Sequence, residues 1–169
     1  GKSTILEAIN LVLTKRIHGK LIDYEISPFL FNTKIVDEYL ESVKKGAFIS
    51  PPEIVIELYL RNDIELDGRY LGSDCTSGEN TFGIKMIISF DEEYTEEYKQ
   101  LLEDTTAEIK FIPSEFYKVQ WLYFSGNTVG VRNQEIRPSF IDASVIQLQN
   151  GSDYYIQDLI RDLNVKERV

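Results

Sequence analysis

The sequence predicts a mixed α/β (α+β) fold in which helices accompany a largely antiparallel sheet. Three observations predict it: an apolar helical pattern opens the chain, alternating strand patterns fill its middle, and another helical pattern closes it. Their order is helix, helix, two strands, short helix, hairpin, strand, helix. A doubly wound parallel sheet would alternate strand and helix throughout. The order therefore disfavours kinase-like and small-GTPase layouts.

Helical patterns occur in four segments. Residues 3–14 carry apolar side chains at helical spacing, and residues 35–46 do so up to a glycine stop. Asp91 is expected to cap a short acidic helix on which tyrosine and leucine side chains share a face. The last helix is expected from residue 152 or 153. The first helix is expected to be buried, and residues 15–32 after it are expected to be irregular.

Alternating apolar residues predict the strands. Residues 53–60 and 82–90 form two of them, and residues 144–149 form the last. Residues 116–131 predict a hairpin around a Ser-Gly-Asn turn. Residues 61–81 are rich in Asp, Gly, Ser and Asn, so this long connection is expected to be poorly ordered.

Length and composition are those of a folded domain. The 169 residues, of which 43% are hydrophobic, are enough for one substantial core. No apolar run reaches the roughly 18–20 residues that span a membrane, and no leader segment opens the chain. The single Cys75 suits a reducing compartment, so a cytoplasmic location is expected. The net charge of −10 argues against a broad DNA-binding surface, because phosphate neutralisation requires clustered Lys and Arg.

The first four residues, Gly1, Lys2, Ser3 and Thr4, match the end of the phosphate-binding loop pattern G-x-x-x-x-G-K-S/T. In such a loop Gly1 lets the backbone approach the phosphates, and the helix N-terminus offers N–H donors. Lys2 would reach the β and γ phosphates of ATP, Ser3 would hold Mg²⁺, and Thr4 could donate to the α phosphate. The alternative is a sequence that merely caps a helix. Its place before an amphipathic helix favours phosphate binding.

Residues 1–9, Gly-Lys-Ser-Thr-Ile-Leu-Glu-Ala-Ile, resemble the start of the first helix in ABC-type P-loop ATPase heads of the SMC, Rad50, RecF and OLD-nuclease group. In those heads an antiparallel β lobe follows the helix. Residues 51–58, 90–94 and 148–156 are most similar to the OLD family. The resemblance implies that residues 1–169 are the N-terminal part of such a head.

This resemblance also implies how the partial ATPase domain is divided. Residues 1–15 would be the end of the P-loop and the first helix, residues 53–149 the strand-rich lobe, and residues 152–169 the start of the helical lobe. No carboxylates of the Toprim nuclease that follows OLD-family heads can be assigned, and no Leu-Ser-Gly-Gly-like signature occurs. The chain is therefore expected to begin inside the loop and to end before the residues that complete catalysis.

In these heads a glutamine at the end of a strand contacts Mg²⁺ and the attacking water. Gln149 fits that Q-loop position best, since it closes an apolar run and precedes Asn-Gly and a helix. Gln147 is the alternative, and both glutamines could also be ordinary solvent-facing strand residues. Asp142 follows two apolar residues but is rejected as a Walker B ligand, because Ala143 stands where a catalytic Glu is needed.

These expectations combine into one function and two alternatives. The leading expectation is ATP binding with Mg²⁺, with hydrolysis in a homodimeric parent protein that drives or gates DNA processing by an OLD-like nuclease. DNA would be bound by the parent rather than by this acidic segment, which alone should show no ATPase activity. The alternatives are a RecF-like or SMC-like DNA repair ATPase and a nucleotide-independent interaction domain.

Overall fold

The computed structural model describes residues 2–46, 49–61, 66–104, 109–130 and 141–149, with the backbone alone for residues 2–3 and 141–149. This part contains three α-helices: α1 (Lys2–Thr14), α2 (Thr33–Lys44) and α3 (Thr95–Glu103). It also contains five short 3₁₀ turns: Ile22–Tyr24, Pro28–Leu30, Gly68–Tyr70, Glu92–Tyr94 and Ser114–Phe116. The first two helices confirm the patterns predicted over residues 3–14 and 35–46.

Seven strands lie in the same described part: β1 (Arg16–Ile17), β2 (Lys20–Leu21), β3 (Ile54–Leu60), β4 (Leu71–Gly72), β5 (Thr81–Phe90), β6 (Tyr117–Tyr123) and β7 (Ile141–Gln149). Their pairings are antiparallel. β1 pairs with β2, whereas the other five form one sheet in the order β4, β5, β3, β7, with β6 also paired to β5. The mixture of helices and antiparallel strands confirms the predicted fold class.

One face of the five-stranded sheet packs against α1. A register row runs through Trp121, Met86, Ile56 and Leu148, and opposed residues of such a row share a face, which we call the first face. The same core receives three side chains from α1: Ile5, Leu11 and Val12. The alternation predicted for β3 therefore places its isoleucine and leucine residues towards the helix.

The other face, which we call the second face, consists of the alternate rows. These rows pair Glu57 with Lys85 and Tyr59 with Gly83. Phe124, which follows β6 and is fully buried, lies against Tyr59 with the ring centroids 5.0 Å apart. Its ring also covers Gly83, where an added Cβ would overlap it. Buried side chains therefore occur on both faces of the sheet.

Trp121 ties the C-terminal end of α1 to β6. Its indole Nε1 donates to the carbonyl of Val12 at 2.8 Å, and its side chain is 3% exposed. The last four carbonyls of a helix lack intrahelical donors, so this bond satisfies a buried acceptor. The chain leaves the helix at Lys15, whose φ of 57° is left-handed. Trp121 is therefore buried on the sheet and also fixes α1.

Residues 15–32 are not irregular throughout, because β1 and β2 form a tight hairpin. Its two turn residues, His18 and Gly19, have φ values of 49° and 81°. Positive φ at both positions is typical of a type I′ turn, in which Asn-Gly is the usual sequence. Histidine at such a position is uncommon, so the segment lacks the ordinary turn signal.

Asp91 caps a short turn as predicted, but the α-helix itself begins four residues later, at Thr95. The side chain of Asp91 accepts from Glu93 N at 3.2 Å, and a 3₁₀ turn then leads into α3. A hydrogen bond from Lys118 at 3.0 Å lowers the pKa of Asp91, which keeps the cap ionised. Only part of the predicted aromatic face is buried, since Tyr98 is fully buried but Tyr94 is 42% exposed.

A buried pair of tyrosines joins α2 to α3. The hydroxyl oxygens of Tyr39 and Tyr98 are 2.6 Å apart, and both side chains are buried. Burial raises the pKa of both phenols, and the hydrogen bond to Tyr98 raises the pKa of Tyr39 further. The folded protein therefore holds both phenolic protons more tightly than the unfolded chain does.

This pair predicts a loss of stability in alkaline solution. Its contribution should be complete below the unfolded tyrosine pKa of about 10 and should decline as the pH rises above that value. Denaturation at increasing pH should show a smaller decline for Tyr39→Phe, which removes one of the two phenols. Tyr24→Phe, which changes an 82% exposed tyrosine, is the control and should follow the unmodified protein. Identical pH profiles for Tyr39→Phe and the unmodified protein would contradict the assignment.

The connection predicted to be poorly ordered is docked over residues 66–80. Tyr70 is 9% exposed and packs edge-on against Tyr123 with ring centroids 4.7 Å apart. Further along, Thr76 N donates to the carboxylate of Glu57 on β3. The prediction was wrong for these residues because a polar segment can be anchored by polar partners that composition does not reveal.

The remaining predictions concern the end of the chain. The hairpin predicted over residues 116–131 is confirmed in part, since β6 is followed by a single bridge between Leu122 and Thr128 and residue 131 lies outside the described residues. β7 begins at Ile141 rather than at Ser144. The helix expected from residue 152 lies outside the described residues. None of the helices in the described ranges has the length and apolar character needed to cross a membrane.

Candidate functional site

The predicted phosphate-binding residues lie at the start of α1. Lys2 and Ser3 are its first two residues, whereas Gly1 lies outside the described residues. Thr4 is exposed on the first turn, which contains no acidic residue. No carboxylate of that turn therefore neutralises the positive end of the helix dipole. An anion is favoured there.

The position of α1 is fixed along one side. Ile5 is 5% exposed and Val12 is fully buried, whereas Leu6 is 57% exposed and Asn10 is also exposed. The helix was expected to be buried, but in the described structure only one of its sides is. Packing of that side against β3 and β5 holds the first turn in a defined place relative to the sheet.

The candidate Q-loop glutamines lie in β7, which pairs with β3 on the side away from β5. Gln149 is the last residue of β7 and is in register with Val55, whereas Gln147 is in register with the buried Glu57. Both register positions belong to the rows of the second face. The register therefore does not separate the two glutamines, and the choice of Gln149 over Gln147 stays a prediction.

The expected metal ligands are described by backbone alone. Ser3 is in the first turn of α1 and Gln149 ends β7, so Mg²⁺ binding by these two residues stays a prediction. Among the described residues, no group of three or more His, Cys, Asp and Glu side chains could hold a metal ion. Asp142, which was rejected as a Walker B ligand, is the second residue of β7.

A polar cluster on the second face was missed. Glu57 is 3% exposed and Lys85 is 8% exposed, although Glu and Lys in an alternating strand usually face solvent. One signal could have indicated burial: Val55 and Tyr59 alternate with Glu57 on the same side of β3, so that side carries apolar groups as well. Tyr59 donates to Glu57 from the same strand, but the other partner of Glu57, Thr76, lies 19 residues further along the chain in the docked connection, which no local pattern connects to β3.

Comparisons of the chain with protein-family models, with curated proteins and with solved structures find no match. The assignment of a function therefore depends on the chain's own residues and geometry. The start of α1 and the end of β7 are the two places where the predicted site residues lie.

Proposed function

We propose that this chain is the nucleotide-binding end of a P-loop ATPase head that binds ATP and Mg²⁺ at the start of α1. In the complete homodimeric protein, this head hydrolyses ATP and drives or gates DNA processing by an OLD-like nuclease. The observation that carries the proposal is that Lys2, Ser3 and Thr4, which follow Gly1 in the sequence motif, are the first residues of a helix packed on an antiparallel sheet. The motif and the sheet are each common, and their combination resembles an ABC-type head.

Each residue of the motif has a separate task in this proposal. Gly1 would leave room for phosphate beside the backbone, and N–H groups of the first turn would donate to it. Lys2 places a positive charge at the β and γ phosphates. Ser3, with Gln149, would hold Mg²⁺, which neutralises phosphate charge when it is bound. Thr4 adds a hydroxyl donor for the α phosphate.

The electrostatics of the chain agree with a nucleotide site of small extent. The chain as a whole is acidic, with a net charge of −10, so the start of α1 is proposed as a local position that favours an anion. Nucleic acid would need a wider basic surface. DNA is therefore proposed to contact other parts of the complete protein, which is proposed to be cytoplasmic.

Two other functions share parts of this description. A RecF-like or SMC-like DNA repair ATPase would use the same phosphate-binding residues, and a long heptad region downstream, rather than a Toprim domain, would identify it. In a nucleotide-independent interaction domain, residues 1–4 would only begin a helix. The two classes differ in whether Lys2 matters for ATP.

Replacing Lys2 with alanine in the full-length protein should weaken ATP binding by about 10–100-fold, the effect of losing a charge-assisted hydrogen bond. Titration calorimetry with ATP and Mg²⁺ measures the affinity, and phosphate release measures turnover. Circular dichroism should show unchanged helix content, because lysine and alanine are both good helix formers.

The matched control is Lys34→Ala. Lys34 is the second residue of α2, so it also lies in the first turn of a helix, and its side chain is 84% exposed. This change should leave ATP affinity unaltered, since Lys34 is not preceded by the glycine of the motif. Equal ATP affinity in Lys2→Ala and the unmodified protein would refute the nucleotide site and leave the interaction domain as the better description.

A further inference from the structure

The second face of the sheet carries a buried polar cluster that the proposed nucleotide site does not use. Glu57 and Lys85 are opposed in the register of β3 and β5, and both are almost fully buried. A buried charge is costly unless it is paired and hydrogen-bonded. Both side chains find their partners on residues 73–77 of the connection between β4 and β5, which we call the strap.

The carboxylate of Glu57 is the most buried contact of the strap. Thr76 N donates to its two oxygens at 3.0 and 3.1 Å, and the Tyr59 hydroxyl donates to Oε2 at 2.8 Å. Burial, together with this hydrogen bond to Glu57, raises the pKa of Tyr59, so its phenol stays protonated and remains a donor. Hydrogen bonds to an ionised acceptor are roughly twice as strong as neutral ones.

A second contact holds the strap at Asp74. Lys85 Nζ donates to Asp74 Oδ1, and Asp74 N donates to Phe124 O at 3.0 Å. The side chain of Asp74 is 49% exposed, so water screens this ion pair more than it screens the contact at Glu57. Glu57 is therefore expected to contribute more to docking of the strap than the ion pair does.

Apolar burial contributes little to the strap itself. Ser73, Asp74, Thr76 and Ser77 are exposed, and Cys75 is partly exposed. The flanking residues are held differently, since Tyr70 is buried before the strap and β5 is paired in the sheet after it. A segment with fixed ends and few buried apolar contacts belongs to the parts of a protein that open locally.

We infer that the strap covers the second face and opens as a unit while the sheet stays folded. The hydrogen bond from Thr76 N to the Glu57 carboxylate determines how often it opens. Opening breaks the hydrogen bond to Thr76 and the contacts of Asp74, and it exposes little apolar surface. It makes Glu57, Lys85 and Tyr59 accessible together on the second face. This inference is independent of nucleotide binding at α1.

Glu57→Gln in the full-length protein tests whether the Glu57 carboxylate holds the strap, because the change keeps the shape of the side chain and removes its charge. Amide hydrogen exchange of peptides covering the strap should become about tenfold faster, as expected for the loss of a charge-assisted hydrogen bond. Exchange in β5 and β6 should not change. Glu38→Gln, at an exposed position of α2, is the control and should leave the strap unaffected.

Asp74→Asn is a second test that leaves Glu57 in place. Asp74 is half-exposed, so this variant should fold even where Glu57→Gln does not, and its strap should exchange severalfold faster. Unchanged strap exchange in the variants that fold would overturn the inference. An equal rise in the strap, β3 and β5 would also overturn it, because it would mean that the strap opens only when the sheet unfolds.

Discussion

Replacing Trp121 with alanine is expected to lower the free energy of unfolding by about 3–5 kcal/mol, the usual cost of truncating a buried tryptophan. Two losses combine in this substitution. A cavity forms between β6 and α1, and the carbonyl of Val12 loses the donor that reaches it at 2.8 Å. Because α1 carries the proposed phosphate-binding residues, ATP affinity should fall together with stability.

Chemical denaturation measures this loss of stability. Two further variants separate the contribution of packing from that of the hydrogen bond to Val12. Trp121→Phe keeps most of the packing but leaves the Val12 carbonyl without its donor, so an intermediate loss of about 1–3 kcal/mol is expected. Tyr123→Phe on the same strand should cost much less than Trp121→Ala, because the Tyr123 hydroxyl lies near Tyr70 without a hydrogen bond of ordinary geometry among the described residues. A Trp121→Ala loss below about 1 kcal/mol would show that Trp121 does not anchor the helix.

Gly72→Ala is expected to destabilise the fold by about 3 kcal/mol or more, which lies at or above the upper end of ordinary overpacking. A Cβ at this position of β4 would overlap the carbonyl group of Phe124 and approach Ser125 N to 2.5 Å. These are backbone atoms, so no rotamer change relieves the overlap. β4 would have to move away from the turn that follows β6.

Gly68→Ala is the matched control for this prediction. An added Cβ at Gly68 meets no atom within 4 Å, so the change should be neutral or slightly stabilising through the unfolded chain. Both variants are compared by chemical denaturation, with hydrogen exchange locating any disturbance. Equal stability of Gly72→Ala and Gly68→Ala would show that β4 is not closely packed against the turn.

The main helices and strands could be predicted because their signals are local. Residues 2–14 repeat apolar positions every three or four residues, and residues 54–60 repeat them every two, as the structure requires. The β1–β2 hairpin could not be predicted in this way. Its turn depends on a left-handed His18, a conformation that is uncommon for any residue other than glycine.

In the candidate site, too, only the features with a local signal in the sequence could be predicted. Residues 1–4 are contiguous, so the phosphate-binding motif can be found without a fold. The register of β7 against β3, which places both Gln147 and Gln149 in rows of the second face, could not be predicted, because a two-residue period leaves it undetermined. The docked strap depends on Glu57 meeting Thr76, a pair 19 residues apart whose contact no periodic pattern encodes.

The hydrogen bond from Trp121 to Val12 fixes the C-terminal end of α1, so any tilt of the helix would pivot about that end. Between Val12 and Lys2 the helix axis runs about 15 Å, so tilting it by about 4° around that point displaces the first turn by about 1 Å. The displacement caused by a tilt would be largest at the first turn, where ATP is proposed to bind, and smallest where the helix meets β6. Small changes in the packing beneath α1 would thus be amplified at the phosphates, where a displacement of about 1 Å is enough to misalign reacting groups.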